Sequence, residues 1–171
     1  MRAILAALVV LAAGPGERLV APVPAGFVVG YSVARGTMAI EERVPKGESV
    51  ELWSRMITVQ RFTGGARFGA RMLLDRIKAS LPGGCPGGTT SGVVESTIDQ
   101  RTYASMRADC PLNPATGKPE TFFARTVVGA DDLYSVQYAY RAVPSNAESM
   151  TAEAYLAGIR LCPGADRACA P

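Results

Sequence analysis

The chain has 171 residues, of which 48% are hydrophobic, with 18 basic against 15 acidic side chains, no histidine and a net charge of +3. That length suits a single domain with a core large enough to fold without a metal. The charge is weak, and the fifteen arginines and three lysines (Lys46, Lys78, Lys118) are scattered among acids, which excludes the basic stripe of a nucleic-acid binder.

The first residues read as an export leader. Met1 and Arg2 form a short positive start, Ala3 to Ala13 an uninterrupted apolar run, and Gly14-Pro15-Gly16 a break. Eleven apolar residues span about 16 Å as a helix, half of a bilayer core, so a transmembrane anchor is the poorer reading. Residues 1–13 are expected to be a signal peptide cut between residues 12 and 21. A linker is expected over 14–26 and one domain over 27–171. No cysteine follows the apolar run, so no lipid anchor is expected, and the mature chain belongs in the periplasm or outside the cell.

Phe27 to Val33 is apolar and β-branched enough for a strand, and Gly36 marks a turn. Met38, Ile40, Glu42 and Val44 alternate with Thr37, Ala39, Glu41 and Arg43, the two-residue period of a half-buried strand that Pro45 ends. Another strand runs from Trp53 or slightly later to Phe62. The period then lengthens: Ala70, Leu73, Leu74, Ile77 and Leu81 recur at helical steps, which predicts an amphipathic helix over 66–81 stopped by Pro82-Gly83-Gly84.

Strands follow over 92–98, 101–109, 121–129 and 133–141. Asp99-Gln100 and Ala130-Asp131-Asp132 are the hairpin turns, and Cys110 to Pro119 is a longer loop, the one segment suited to enter a protease cleft as an inhibitor. Ser145 and Glu148 have capping-box spacing, and a second helix is predicted from there to Leu161, ahead of Cys162-Pro163. The whole reads as an α+β domain: a mainly antiparallel sheet of about six or seven strands with two principal helices packed on one face.

Four cysteines in an exported chain predict two disulfides. Three pairings exist. Cys162 with Cys169 closes a small C-terminal loop and leaves Cys85 with Cys110, the favoured arrangement. The absence of CxxC and of histidine fits neither a zinc module nor a thioredoxin-type site, and no cofactor or metal is expected.

Without histidine, Ser-His-Asp and Cys-His sites cannot be built. Ser-Lys chemistry is left, with Ser49 near Lys46 and Ser80 near Lys78. Glu41 and Glu42 lie side by side on a strand, so their side chains take opposite faces and cannot work as a pair. Asp131-Asp132 suits a turn. The cluster Gly83 to Gly92 lacks the lysine of a phosphate loop and follows a helix instead of leading into one; a loop pinned by a disulfide is the expectation. Tyr134, Tyr138 and Tyr140 share one face of the last strand and form a candidate binding surface, with Trp53 beside a turn as a separate candidate.

The stretch Val44 to Phe62, with Gly47-Glu48-Ser49-Val50-Glu51, Trp53, Met56 and Thr58-Val59-Gln60, resembles a segment of small exported bacterial proteins of uncharacterised function. Cys85-Pro86, Asp109-Cys110-Pro111, the strand pair from Phe122 to Tyr140 and the terminal helix through Cys162 look like the rest of that group. The layout is also distantly similar to the PsbP/Mog1-like α/β sandwich, whose members act chiefly in binding and assembly. These resemblances imply a non-enzymatic binding or accessory domain for a protein or small ligand of the envelope. The alternative is an exported hydrolase with a carboxylate or Ser-Lys site.

Overall fold

The structure is a computed structural model and describes residues 16–163. Two meanders make its main sheet. The first holds β2 (Phe27–Arg35), β3 (Met38–Pro45) and β4 (Arg55–Phe62); the second holds β7 (Arg101–Asn113), β8 (Lys118–Val128) and β9 (Leu133–Tyr140). They join where β4 lies antiparallel to β9, in register from Arg55 opposite Tyr140 to Phe62 opposite Leu133. Between the meanders run a short 3-10 turn (Gly65–Phe68), α1 (Arg71–Gly84), β5 (Thr89–Thr90) and β6 (Val94–Ile98). Both β5 and β6 pair with β7, so the sheet has eight strands in the order β2-β3-β4-β9-β8-β7-β5, with β6 also on β7.

The two-residue turns behave as their residues dictate. Asp99 and Gln100 both take positive φ, 50° and 63°, the left-handed pair that matches the twist of a tight hairpin between β6 and β7. α2 (Asn146–Ala157) begins with the expected capping box: Ser145 Oγ accepts from the Glu148 N–H, and the Glu148 carboxylate accepts from the Ser145 N–H.

Alternation along the central strands leaves both faces of the sheet apolar, and here the structure departs from the expectation of helices on one face. Tyr103, Phe123, Val127, Tyr134, Val136 and Tyr138 face α2, whose Ala152 and Leu156 are buried against them. Ala104, Met106, Ala108 and Ala124 face the other way and pack on Ala70 and Leu74 at α1. One helix covers each face because β8 and β9 are buried on both sides, and a single layer of helices would leave half of that surface in water.

Several boundaries also differ. Residues 17–20, inside the expected linker, form β1 (Glu17–Val20), which pairs antiparallel with β10 (Arg160–Pro163). The second helix therefore ends at Ala157 instead of Leu161; Gly158 caps it, and the chain turns to extend along β1. Leu19 and Leu161 are buried in that two-stranded lid, so the apolar residues read as a last helical turn are packed as strand. α1 starts at Arg71, since Gly69 at φ 76° breaks the helical path, and it continues through Pro82. Pro82 has no N–H to give the turn before it, so α1 loses one bond there and stops within two residues, with the Cys85 N–H reaching the Leu81 carbonyl at 2.7 Å.

The expected loop from Cys110 to Pro119 is mostly strand. β7 and β8 extend to pair Asn113 with Lys118, and an irregularity between Cys110 and Asn113 absorbs Pro111, which has no N–H to give the ladder. Asn113 makes the tight turn itself: its Oδ1 accepts from the Ala115 N–H and its carbonyl from the Gly117 N–H, with Gly117 at φ 65°. No long loop is left there to enter a protease.

Candidate functional site

Of the residues singled out from the sequence, the tyrosine row is brought together but not exposed. Tyr134, Tyr138 and Tyr140 are 1%, 2% and 3% exposed, so the open aromatic surface expected from their spacing does not form. α2 and the β1-β10 lid cover that face. Tyr138 stacks on Tyr140 with ring centres 5.2 Å apart and meets Tyr155 of α2 edge-on at 5.6 Å. Tyr140 Oη donates to the Glu148 carbonyl at 2.7 Å, so the row fastens a helix. Trp53 is half-buried in the turn before β4, with the Arg141 guanidinium 4.1 Å from its ring centre.

Cys85 and Cys110 are disulfide-bonded with Cα atoms 5.8 Å apart, pinning the end of α1 to β7. The glycine cluster is accordingly a tethered loop: the Gly88 N–H bonds the Cys85 carbonyl, and a side chain at Gly88 would strike that carbonyl and Leu81. Cys162 is also disulfide-bonded, and the pairing expected for it, with Cys169, falls outside the described residues.

The remaining catalytic candidates are engaged elsewhere. Ser49 Oγ accepts from the N–H groups of Glu51 and Leu52, capping its own turn. Ser80 Oγ donates to the Ile77 carbonyl on the exposed side of α1. Glu41 and Glu42 take opposite faces of β3 as expected, and Glu41 is spent on Arg43 at 2.6 Å. Asp132 binds Arg61 Nε at 2.9 Å and accepts from the Gly64 N–H, so it holds the β4 and β9 ends together.

A site that the sequence reading did not name lies at the edge of the α2 face. A cleft of about 500 Å³ opens between the last turns of α2 (Glu153, Leu156, Ala157), the inward residues of β7 and β8 (Ser105, Arg107, Phe123, Arg125) and the start of β6 with the residues before it (Ser91, Gly92, Val94). That volume lies in the range of small-ligand pockets, and its walls follow the usual recipe of apolar lining with a few polar groups.

Two arginines differ sharply there. Arg107 is half exposed and grips Asp109 through Nε and Nη2, at 2.8 and 2.7 Å, while its Cζ sits 5.2 Å from the Phe123 ring centre. Burial pushes the Asp109 carboxyl up, but hydrogen bonds from Arg107 and Thr121 outweigh it and hold that group below the usual carboxylate range. Arg107 is raised in turn, first by its bond to Asp109.

Arg125 is 9% exposed. Its Cζ lies 4.5 Å from the Tyr103 ring centre, its Nη1 donates to the Leu156 carbonyl at 3.1 Å, and its Nε has no partner. No carboxylate pairs with it among the described residues. Burial pulls Arg125 below its ordinary value; Tyr103 opposes this and Arg160 adds to it. An arginine does not give up its proton at neutral pH, so a charge stays inside.

The signal for Arg125 was present in the sequence. In Phe122-Phe123-Ala124-Arg125-Thr126-Val127-Val128 it is the one charge in an apolar strand, in phase with Phe123 and Val127, which are buried. Arg43 is also buried, 1% exposed, but it follows Glu41 and Glu42 in β3 and no such lone-charge signal marks it. It donates to Glu41, to the carbonyls of Ala21 and Pro22, and to Tyr155 Oη, tying the lid and α2 to β3.

No protein-family profile matches the chain, and no curated protein sequence matches it significantly. Among solved structures it is similar to the crystal structure of the Saccharomyces cerevisiae Ran-binding protein Mog1p, with 13% identity and a TM-score of 0.43 over 80% of this chain and 78% of that one. It is likewise similar to a point mutant of protein Mog1, with 15% identity and a TM-score of 0.45 over 87% and 83% of the two chains. Likeness at this level is one of general layout and carries nothing about ligand or partner. The α+β assignment stands on the strand order and helix packing described above.

Proposed function

We propose that this chain is an exported, non-enzymatic binding or accessory domain whose ligand seat is the cleft beneath the end of α2. The observation that carries the reading is the cleft itself: about 500 Å³, walled by Phe123, Leu156 and Val94, with Ser105 and a buried arginine among its polar groups. Export is supported by the leader pattern of residues 1–13 and by the Cys85–Cys110 disulfide, which suits an oxidising compartment. Among the described residues no helix is long and apolar enough to cross a membrane.

Among the described residues the hydrolase alternative lacks a working pair. Its serines cap local backbone, and its inward carboxylates are committed to Arg43 and Arg61. A nucleophile needs a base within hydrogen-bond reach, and neither Ser49 nor Ser80 makes a hydrogen bond to a lysine.

The test is a titration with N-phenyl-1-naphthylamine, a neutral apolar dye that fluoresces when it leaves water. The protein is expected to take up the dye, and Val94→Trp, a change at an exposed residue on the cleft wall, is expected to block it with the circular dichroism unchanged. Uptake that ignores the substitution would place the dye elsewhere and remove the cleft as the seat.

A further inference from the structure

We propose that the cleft under α2 selects ligands with an anionic headgroup, a carboxylate or phosphate on a short apolar body, and that Arg125 is the anchor for that headgroup. This rests on the cleft being the ligand seat.

Arg125 is the cation in the cleft that no carboxylate meets among the described residues. A guanidinium has five N–H donors. One hydrogen bond is made, from Nη1 to the Leu156 carbonyl, and the edge formed by Nε and Nη2 is the one that grips a carboxylate or phosphate with two parallel bonds. Nε is without a partner. The C-terminal carbonyls of α2 and the face of Tyr103 offset part of the charge, but partial dipoles do not replace a counter-ion, and Arg160 adds a second positive charge nearby. Retaining an unpaired cation in an apolar wall costs stability unless something negative joins it.

The other polar groups refine the choice. Arg107 is already neutralised by Asp109 and serves as cleft wall through its stack on Phe123. Ser105 offers a neutral hydroxyl next to Arg125 across the β7-β8 ladder, where the two residues are direct partners. Glu153 stands at the α2 rim, exposed, and its charge opposes an entering anion. Phe123, Leu156 and Val94 supply the apolar lining that a bare inorganic ion would leave unused, which is why an amphiphilic anion fits better than phosphate alone.

The experiment is calorimetric titration with three ligands of one chain length: octanoate, octyl phosphate and octanol. The unsubstituted protein is expected to bind at least one of the two anions about tenfold more tightly than the alcohol, and the tighter anion identifies the headgroup. Arg125→Gln is expected to erase that preference and leave octanol binding in place. Glu153→Gln, at an exposed residue of the α2 rim, is expected to tighten the anions about two- to threefold without moving octanol, which keeps the proposal open to test should Arg125→Gln fail to fold. Equal binding of octanol and both anions, an anion preference that survives Arg125→Gln, or anion binding indifferent to Glu153→Gln would overturn the anchor while sparing the cleft. Binding of none of the three would remove the cleft with it.

Discussion

The two faces of the sheet are covered by one helix each, yet they are built in opposite ways. Under α1 the sheet presents Ala104, Ala108, Ala124 and Met106, and the helix answers with one fully buried side chain, Leu74. A hydroxyl joins the two: Thr126 Oγ1 donates to the Ala70 carbonyl at 2.6 Å. Under α2 the sheet presents tyrosines, a phenylalanine and buried charges, and side chains reach up to the helix backbone. Tyr140 holds the Glu148 carbonyl and Arg125 the Leu156 carbonyl, while Tyr103 accepts from the Leu161 N–H of β10 in the lid. Small residues allow close packing, and the α1 face keeps a smaller cleft, about 230 Å³, beside the Cys85–Cys110 bridge at the helix end. Long polar anchors hold a helix at chosen points, and between those points the α2 face has its cleft and an arginine with an unused donor.

Alkaline pH should separate the faces most strongly. Burial pushes Tyr134 and Tyr155 up to about 12 from an ordinary value of 10.0, and it also raises Tyr140. Below pH 10 these phenols are protonated in both folded and unfolded chains, and their contribution is whole. As pH climbs from 10 toward 12 the unfolded chain ionises first, so stability falls. Urea unfolding at about pH 9 and about pH 11.5, with phenolate absorbance followed alongside, should show that loss. A folded chain whose tyrosines all ionise near 10 would contradict the packing described for the α2 face.

Arg43→Met comes next. It strands the Glu41 carboxylate, 1% exposed, without its cation, and a loss of about 3–5 kcal/mol in urea unfolding is expected. Its counterpart on the α1 face is Leu74→Ala, which opens a cavity among alanines that cannot expand to fill it; about 3 kcal/mol is expected by the same measurement. The two losses should add in the double variant, because no core residue is shared between the faces. Coupling well above about 0.5 kcal/mol would mean that the faces are not independent. The smallest effect is expected from Ser145→Ala, about 1 kcal/mol for the lost cap of α2, read as a fall in melting temperature.

Much of this architecture was legible along the chain. The periods of two and of three to four marked β3, α1 and the strands from β6 to β9; the turn at Asp99-Gln100 and the capping box at Ser145 were readable because they depend on neighbours in sequence. The disulfide between Cys85 and Cys110 followed from a count and a preference among pairings. The misread segments share a cause. Glu17–Val20 is a strand because β10 lies beside it, and Leu161 is strand residue instead of helix residue for the same reason, across more than 140 positions of chain.

Local patterns thus determined which stretches alternate, where a helix can begin and which reactions the residue types cannot support, since those depend on side-chain chemistry and on spacing of a few residues. Tertiary structure alone decided which face each helix covers, that the tyrosine row is closed instead of open, and that Arg125 is buried beside Tyr103 and the end of α2. Those outcomes depend on competition for one apolar surface between segments far apart in sequence, and no short-range pattern records who wins it.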